Sequence, residues 1–171
     1  YDVEVVSLAT AQRLASAAFA TGGGAYVGSG TLTIAVGGNA FSIDVPADGG
    51  TLADIRNAIN GATGNTGVTA SIINEVGGSR LVLTARQTGT AATIGVTQSG
   101  GDGGLAALTF DPNAPLSGGL TQTVAAADAV VRINGFEHHS ASNSVTGAID
   151  GLTLTLRSAD AGNSHLLTIA N

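Results

Sequence analysis

The chain has 171 residues, 12 acidic side chains against 6 basic ones and a formal net charge of -6; 43% of residues are hydrophobic and 11% charged. That balance excludes a disordered chain, leaves material for a real core and disfavours nucleic-acid binding, because the field repels phosphates. No cysteine means no disulfide, iron–sulfur cluster or thiol nucleophile, and no apolar run reaches the ~20 residues of a membrane helix.

In chain order, Tyr1–Leu8 alternates apolar and polar residues with the period of a strand. Residues 9–27 weaken into Ala, Ser and Gly, with a short helix expected around Gln12–Phe19. Thr31–Val36 and Phe41–Val45 alternate on either side of Gly37-Gly38-Asn39, which predicts a hairpin. Thr51 and Asp54 are spaced as a capping box, Leu52, Ile55 and Ile59 share one face, and Gly61 suits a left-handed stop. Together they predict a helix over 51–61. Strands are expected at Gly67–Val76, Arg80–Ala85 and Thr93–Thr97.

Residues 98–123 carry Gly100-Gly101-Asp102-Gly103-Gly104, Pro112, Pro115 and Gly118-Gly119 and read as loop. Asn134-Gly135 joins Ala129–Ile133 to Phe136–Ser140 in a second hairpin. Asn143–Asp150 predicts a helical turn or two, Leu152–Leu156 a strand, and His165–Ala170 a last strand. Ile59-Asn60-Gly61 and Ile149-Asp150-Gly151 then anchor a twice-occurring unit of hairpin, short helix and strand. The expected fold class is α+β, mostly antiparallel β with short helices, in two small β-rich lobes, one inserted in the other. The expected division is a discontinuous domain of 1–27 and 99–171 carrying an inserted domain of 28–98, with Asp2–Leu8 pairing into the C-terminal lobe. The opening at Tyr1 and the apolar ending lead us to expect a piece of a longer protein.

The sequence carries no catalytic constellation. Without lysine there is no phosphate-cradling P-loop, and neither a dinucleotide fingerprint nor a nucleophile elbow is present. Glu137-His138-His139 is the densest group of metal-ligand types, but alternation lets only Glu137 and His139 face one ion. His165 would join them only if strands 136–140 and 165–170 were neighbours. Ser99–Gly104 around Asp102 resembles one copy of a calcium turn that needs several, and reads better as a flexible connector. Asp44, Asp54, Asp128 and Asp150 lie at element ends, where capping and turns explain them. Arg80 and Arg86 share a strand face and read as charges that protect an edge. No catalytic residue, metal site or cofactor is assigned, and no enzyme is expected.

Several stretches together resemble the flagellar filament cap protein family, also called hook-associated protein 2. Tyr1–Ser16 is similar to the family's passage from stem to head. Gly30–Ile34, Thr51–Asn60, Gly67–Asn74 and Arg80–Thr84 are similar to its head motif, which has a relative in the outer domains of flagellins. Ala127–Gly135, Ser142–Val145 and Ile149–Leu154 are similar to the second part of that head. The resemblance implies a secreted, non-enzymatic assembly protein at the flagellum tip. Its partners would be copies of itself in a ring, flagellin and the hook–filament junction proteins, and in some bacteria host mucin. Two alternatives stand beside it: the outer domain of a flagellin-like subunit, and an adhesin binding mucin or other glycans through loops 99–104 and 112–119. The scatter of Tyr1, Phe19, Tyr26, Phe41, Phe110 and Phe136 speaks against a sugar-stacking platform.

Overall fold

The computed structural model describes residues 1–65, 67–115, 117 and 119–169. Strands β1 (Asp2–Ser7) and β2 (Arg13–Ala15) lead to the hairpin of β3 (Gly30–Val36) and β4 (Asn39–Val45). Helix α1 (Leu52–Gly61) follows, then β5 (Val68–Glu75), β6 (Gly78–Ala85) and β7 (Ile94–Ser99). After a 3-10 turn at Gly104–Leu108 come β8 (Thr121–Val124), β9 (Ala129–Ile133), β10 (Phe136–Ser140), β11 (Ser144–Thr146), β12 (Thr153–Thr155) and β13 (His165–Leu166).

Every strand pair is antiparallel. The sheets run β4-β3-β7, β5-β6-β2-β8, β10-β9-β1-β13 and β11-β12. The first two close over α1, whose Leu52, Ile55 and Ile59 are buried with Leu14, Leu32, Ile34, Leu83, Ile94 and Phe110. Each such apolar side chain contributes about 1.5–3 kcal/mol on leaving water. The last two sheets enclose a smaller core of Ala9, Ala129, Val131, Ile133, Val145, Ile149 and Leu156. The chain passes between the cores where Thr10 bridges Ala127.

The α1 capping box forms: the Asp54 N–H donates to Thr51 Oγ1 (3.2 Å), and the Thr51 N–H donates back to the Asp54 carboxylate (3.3 Å). Gly61 is the last helical residue, not a left-handed stop, and the chain leaves through Ala62 at φ -65. Asn134 and Gly135 take φ 50 and 85, the two positive angles of a type I′ hairpin turn.

Several expectations are corrected. Residues 12–19 form no helix: Leu14 points into the core from β2, between β6 and β8. Residues 143–150 form β11 and a turn, so the apolar pair Val145 and Ile149 reaches the small core from a strand and a bend, not from one helical face. The twice-occurring unit therefore lacks its second helix. Residues 10–27 and 99–124, grouped with the chain ends by the sequence reading, instead share a core and a sheet with 28–98. Burial of Leu14, Leu105, Leu108, Phe110 and Leu120, in stretches too short to show a period, decides this. Of the expected last strand only His165 and Leu166 pair, and Ala170 lies outside the described residues.

Candidate functional site

The polar groups singled out in the sequence are placed one by one. Glu137 and His139 share the outer face of β10, His139 Nε2 lying 2.8 Å from Glu137 Oε1. Across the register Glu4–Arg132–Glu137, Arg132 donates to Glu137 (3.1 Å) and to Glu4 (3.4 Å), and Glu4 also accepts the Gly162 N–H (2.7 Å). The result is a three-strand ion-pair ladder. His139 and then Arg132 hold the Glu137 carboxyl below its usual range, and Glu137 and Glu4 raise the Arg132 guanidinium. His138 pairs opposite Val131 on the other face, and His165 sits on β13 at the far edge of the sheet, about 14 Å away by strand spacing. There it meets Asp160 (3.2 Å), whose carboxyl is held low by Asn163 and then by His165. Among the described residues no three metal-ligating side chains converge.

Loop 99–104 is not a connector but a seam. Asp102 Oδ1 accepts the Ser29 and Gly104 N–H groups (3.0 and 2.9 Å), and Oδ2 accepts the Tyr26 hydroxyl (2.9 Å). The Gly104 N–H, then Ser29 and Tyr26, hold the Asp102 carboxyl low, and the same bond raises the Tyr26 phenol. The backbones touch: a Cβ on Gly101 would stand 1.8 Å from the Ser29 carbonyl oxygen, and one on Gly104 2.1 Å from that of Val27. The glycines are there for close approach, and the carboxylate is turned toward N–H donors, not toward a cation site.

Asp44 accepts the Thr31 hydroxyl (2.8 Å), Asp54 caps α1, and Asp128 accepts the Thr90 N–H (2.7 Å), tying the large core to the small one. Asp150 lies in the turn after β11. Arg80 and Arg86 do not guard an edge, since β6 is an interior strand. Arg80 donates to Glu75 (2.6 Å) and to the Ser16 carbonyl (2.8 Å), and Arg86 to Thr69 (3.3 Å). The aromatics do not gather: Phe110 is buried, Tyr26 is bound to Asp102, and Phe136 stands out at the β9–β10 turn. Of loop 112–119, Leu116 and Gly118 lie outside the described residues.

Sequence reasoning missed the asparagines and Gln12. Asn60 donates to the Ala70 carbonyl (2.8 Å) and accepts its N–H (2.9 Å); Asn65 does the same for Val68 (2.9 and 3.0 Å), and Asn143 for Ala9 (3.0 and 2.8 Å). Each amide stands in for a strand residue. Buried Gln12 takes the Ile94 N–H on its side chain and the Ala85 N–H on its carbonyl, which joins the two large-core sheets. A single polar residue at the end of a helix or before a strand carries no pattern to find it by.

Residues 31–87 match the Flagellin hook IN motif. The chain is 39% identical to the B-type flagellar hook-associated protein 2 of Pseudomonas aeruginosa, over 99% of this chain and 38% of that protein. It thus spans about two fifths of the length of the curated relatives it matches first. Its fold superposes on FliD (HAP2) from Pseudomonas aeruginosa PAO1 with a TM-score of 0.87 at 37% identity, covering 99% of this chain and 79% of that one. On the D2-D3 domains of the flagellar cap protein from Serratia marcescens the TM-score is 0.86 at 30% identity, covering 99% and 92%.

Proposed function

The chain belongs to the flagellar hook-associated protein 2 (FliD) family of flagellar cap proteins, and we propose that it is the head region of such a cap. In this reading it is a non-enzymatic structural module, exported by the flagellar secretion system. It oligomerises at the filament tip as part of the full-length protein and promotes flagellin insertion, with the hook–filament junction proteins as neighbours. The observation that carries the reading is the agreement over 99% of the chain with a cap head spanning both cores. The flagellin alternative rests on the motif at 31–87 alone. We divide the head at Thr10–Ala127, into a large unit of 10–127 and a small unit built from both chain ends. A host-surface role has no gathered aromatic platform to rest on, and we give it second place.

The test is a graft. The corresponding head of a full-length relative is replaced by this chain in a cell lacking its own cap protein, and filament length and flagellin in the medium are measured. Restored filaments are the expected result; flagellin lost to the medium as monomer, with the chimera exported, would overturn the reading.

A further inference from the structure

The tripeptide Ile-Asn-Gly occurs twice, at Ile59-Asn60-Gly61 and at Ile133-Asn134-Gly135. Asn-Gly is the dipeptide in which the next backbone nitrogen most readily attacks the side-chain amide, because glycine puts no Cβ in the way. Covalently the two copies are alike, so a difference in their reactivity is set by the fold. In neither is the glycine nitrogen poised to react. Ring closure needs the Asn Cβ and that nitrogen nearly eclipsed about the Cα–C bond, and both the left-handed backbone of Asn134 (φ 50) and the helical one of Asn60 turn them apart. Reaction therefore waits on local opening, and the two sites are held shut to different degrees. Asn60 is fastened at both ends of its amide, Nδ2 to the Ala70 carbonyl (2.8 Å) and Oδ1 to the Ala70 N–H (2.9 Å), while Gly61 is still helical and Ile59 is buried in the large core. Asn134 and Gly135 are exposed in the β9–β10 turn. There Asn134 Oδ1 accepts the Asp2 N–H (2.8 Å), and its Nδ2 has no partner among the described residues. The Asn134 N–H donates to the Asp2 carbonyl (2.8 Å), so the turn is pinned by the end of β1. On the side away from β9, that strand is held by two register pairs with β13 and by the Asp160 N–H on the Val5 carbonyl (2.9 Å).

We propose that Asn134-Gly135 is a site of spontaneous hydrolytic modification that opens with the small unit, while the identical Asn60-Gly61 is kept shut by the large one. When the end of β1 lifts from the turn, the Gly135 nitrogen gives up its proton to hydroxide and attacks Asn134 Cγ. The new N–Cγ bond closes a five-membered succinimide, the Cγ–Nδ2 bond breaks, and ammonia leaves with a proton taken from water. Water then opens the ring at one of its two carbonyls. Opening at Cγ leaves an ordinary aspartate; opening at the main-chain carbonyl leaves isoaspartate, through whose side chain the backbone now runs. One water enters and one ammonia departs in all, with no oxidant or reductant. Isoaspartate adds a methylene to a two-residue type I′ turn, and that turn fixes the β9–β10 register. Either product also sets a negative charge beside Asp2, in a chain already at -6. The change is thus one-way, since its products loosen the turn whose opening let it occur. It does not depend on the proposed cap role.

The test is peptide mapping by mass spectrometry after the whole chain has stood in mildly alkaline buffer, scoring aspartate and isoaspartate at 134 and at 60. The urea-denatured chain, where the two tripeptides are free, supplies the reference rate for each site. Relative to it, the folded chain should convert Asn134 about 5–30-fold faster than Asn60, because opening is fast beside the chemistry and the rate follows the open population. Asn143→Ala loosens the small unit and should speed conversion at Asn134 by a similar factor with Asn60 unchanged; Phe110→Ala should do the reverse. Equal relative rates at the two sites, a faster Asn60, or no conversion at Asn134 would overturn the assignment. A rate at Asn134 unmoved by Asn143→Ala would overturn its coupling to the small unit. Should Asn143→Ala not fold by circular dichroism, low urea is added to the unsubstituted chain. Conversion at Asn134 must then rise in step with amide exchange in β9 and β10, and conversion that stays flat while exchange rises would refute the coupling.

Discussion

The two cores of this head differ in what holds them. The large one is sealed by long aliphatic side chains around a helix, with Leu52, Ile55, Ile59, Leu83, Ile94 and Phe110 almost wholly buried. The small one has seven buried residues, two of them alanines, and depends on the pairing of both chain ends. Beside it an open groove of about 480 Å³ runs along Val3, Val5, Leu154 and Leu167. Polar clamps serve both units, Asn60, Asn65 and Gln12 in the large one and Asn143 on Ala9 and Asn134 on Asp2 in the small one, but only the large one adds a thick apolar core to them. In a marginally stable protein such a division sets which part opens first.

The comparison breaks most visibly at Phe110. Truncation to alanine removes a ring at 1% exposure and is expected to cost the large unit about 3–5 kcal/mol in urea unfolding. Amide exchange in β9 and β10 should stay unchanged; loss of protection in both units would mean that they unfold as one.

The glycine seam gives the next contrast. Gly101→Ala drives a Cβ into the Ser29 carbonyl, whereas Gly100, also at positive φ, has nothing within 4 Å. Gly100→Ala should cost only the left-handed penalty of about 1–2 kcal/mol. Gly101→Ala should exceed it by a further 1–3 kcal/mol or so, because two packed backbones must part. Thermal melts of the two variants compare them, and equal losses would show that the seam yields.

Asn143→Ala tests the clamps. It strips both partners from the Ala9 peptide, for which a loss of about 1–3 kcal/mol is expected, with exchange accelerating in the small unit alone.

The smallest effect is acid sensitivity. Asp160 and Glu137 in the small unit, and Asp102 in the large, all have carboxyls held below their usual range. A depressed folded-state pKa contributes stability that is fully present above the unfolded value, near pH 4, and is lost as pH falls through the folded one. Falling pH should thus weaken both units, and Asp160→Asn should flatten the response of the small unit only. Amide exchange between about pH 5 and pH 2 reads this out. An unchanged slope in Asp160→Asn would remove Asp160 from the account.

How much of this was legible in the sequence depended on how far apart the interacting residues were. Thr51 and Asp54 stand three residues apart, and Asn134 and Gly135 are adjacent, so α1 and the β9–β10 hairpin could be read directly. Gln12–Phe19 was misread because β2 is three residues long and owes its conformation to neighbours at 82–84 and 121–124. The pairing of Glu137 with His139 on one face followed from strand alternation. The separation of His165 from them did not, since it depends on which strands lie at which edge.

By itself, then, the sequence determined the strand-rich character, the capped helix α1 and the Asn134-Gly135 turn, which arise from local backbone preferences and short-range periodicity; the resemblance to the cap family rests instead on the matched stretches themselves. Only the tertiary structure decided that residues 10–27 and 99–124 belong to the large core, that the glycines of 100–104 pack as a seam, and that Asn60, Asn65 and Asn143 close strand edges. The partners in these contacts range from near neighbours such as Asn65 and Val68 to Asn143 and Ala9, and no periodicity marks any of them. A buried peptide group takes whichever partner the packed chain brings within hydrogen-bond reach.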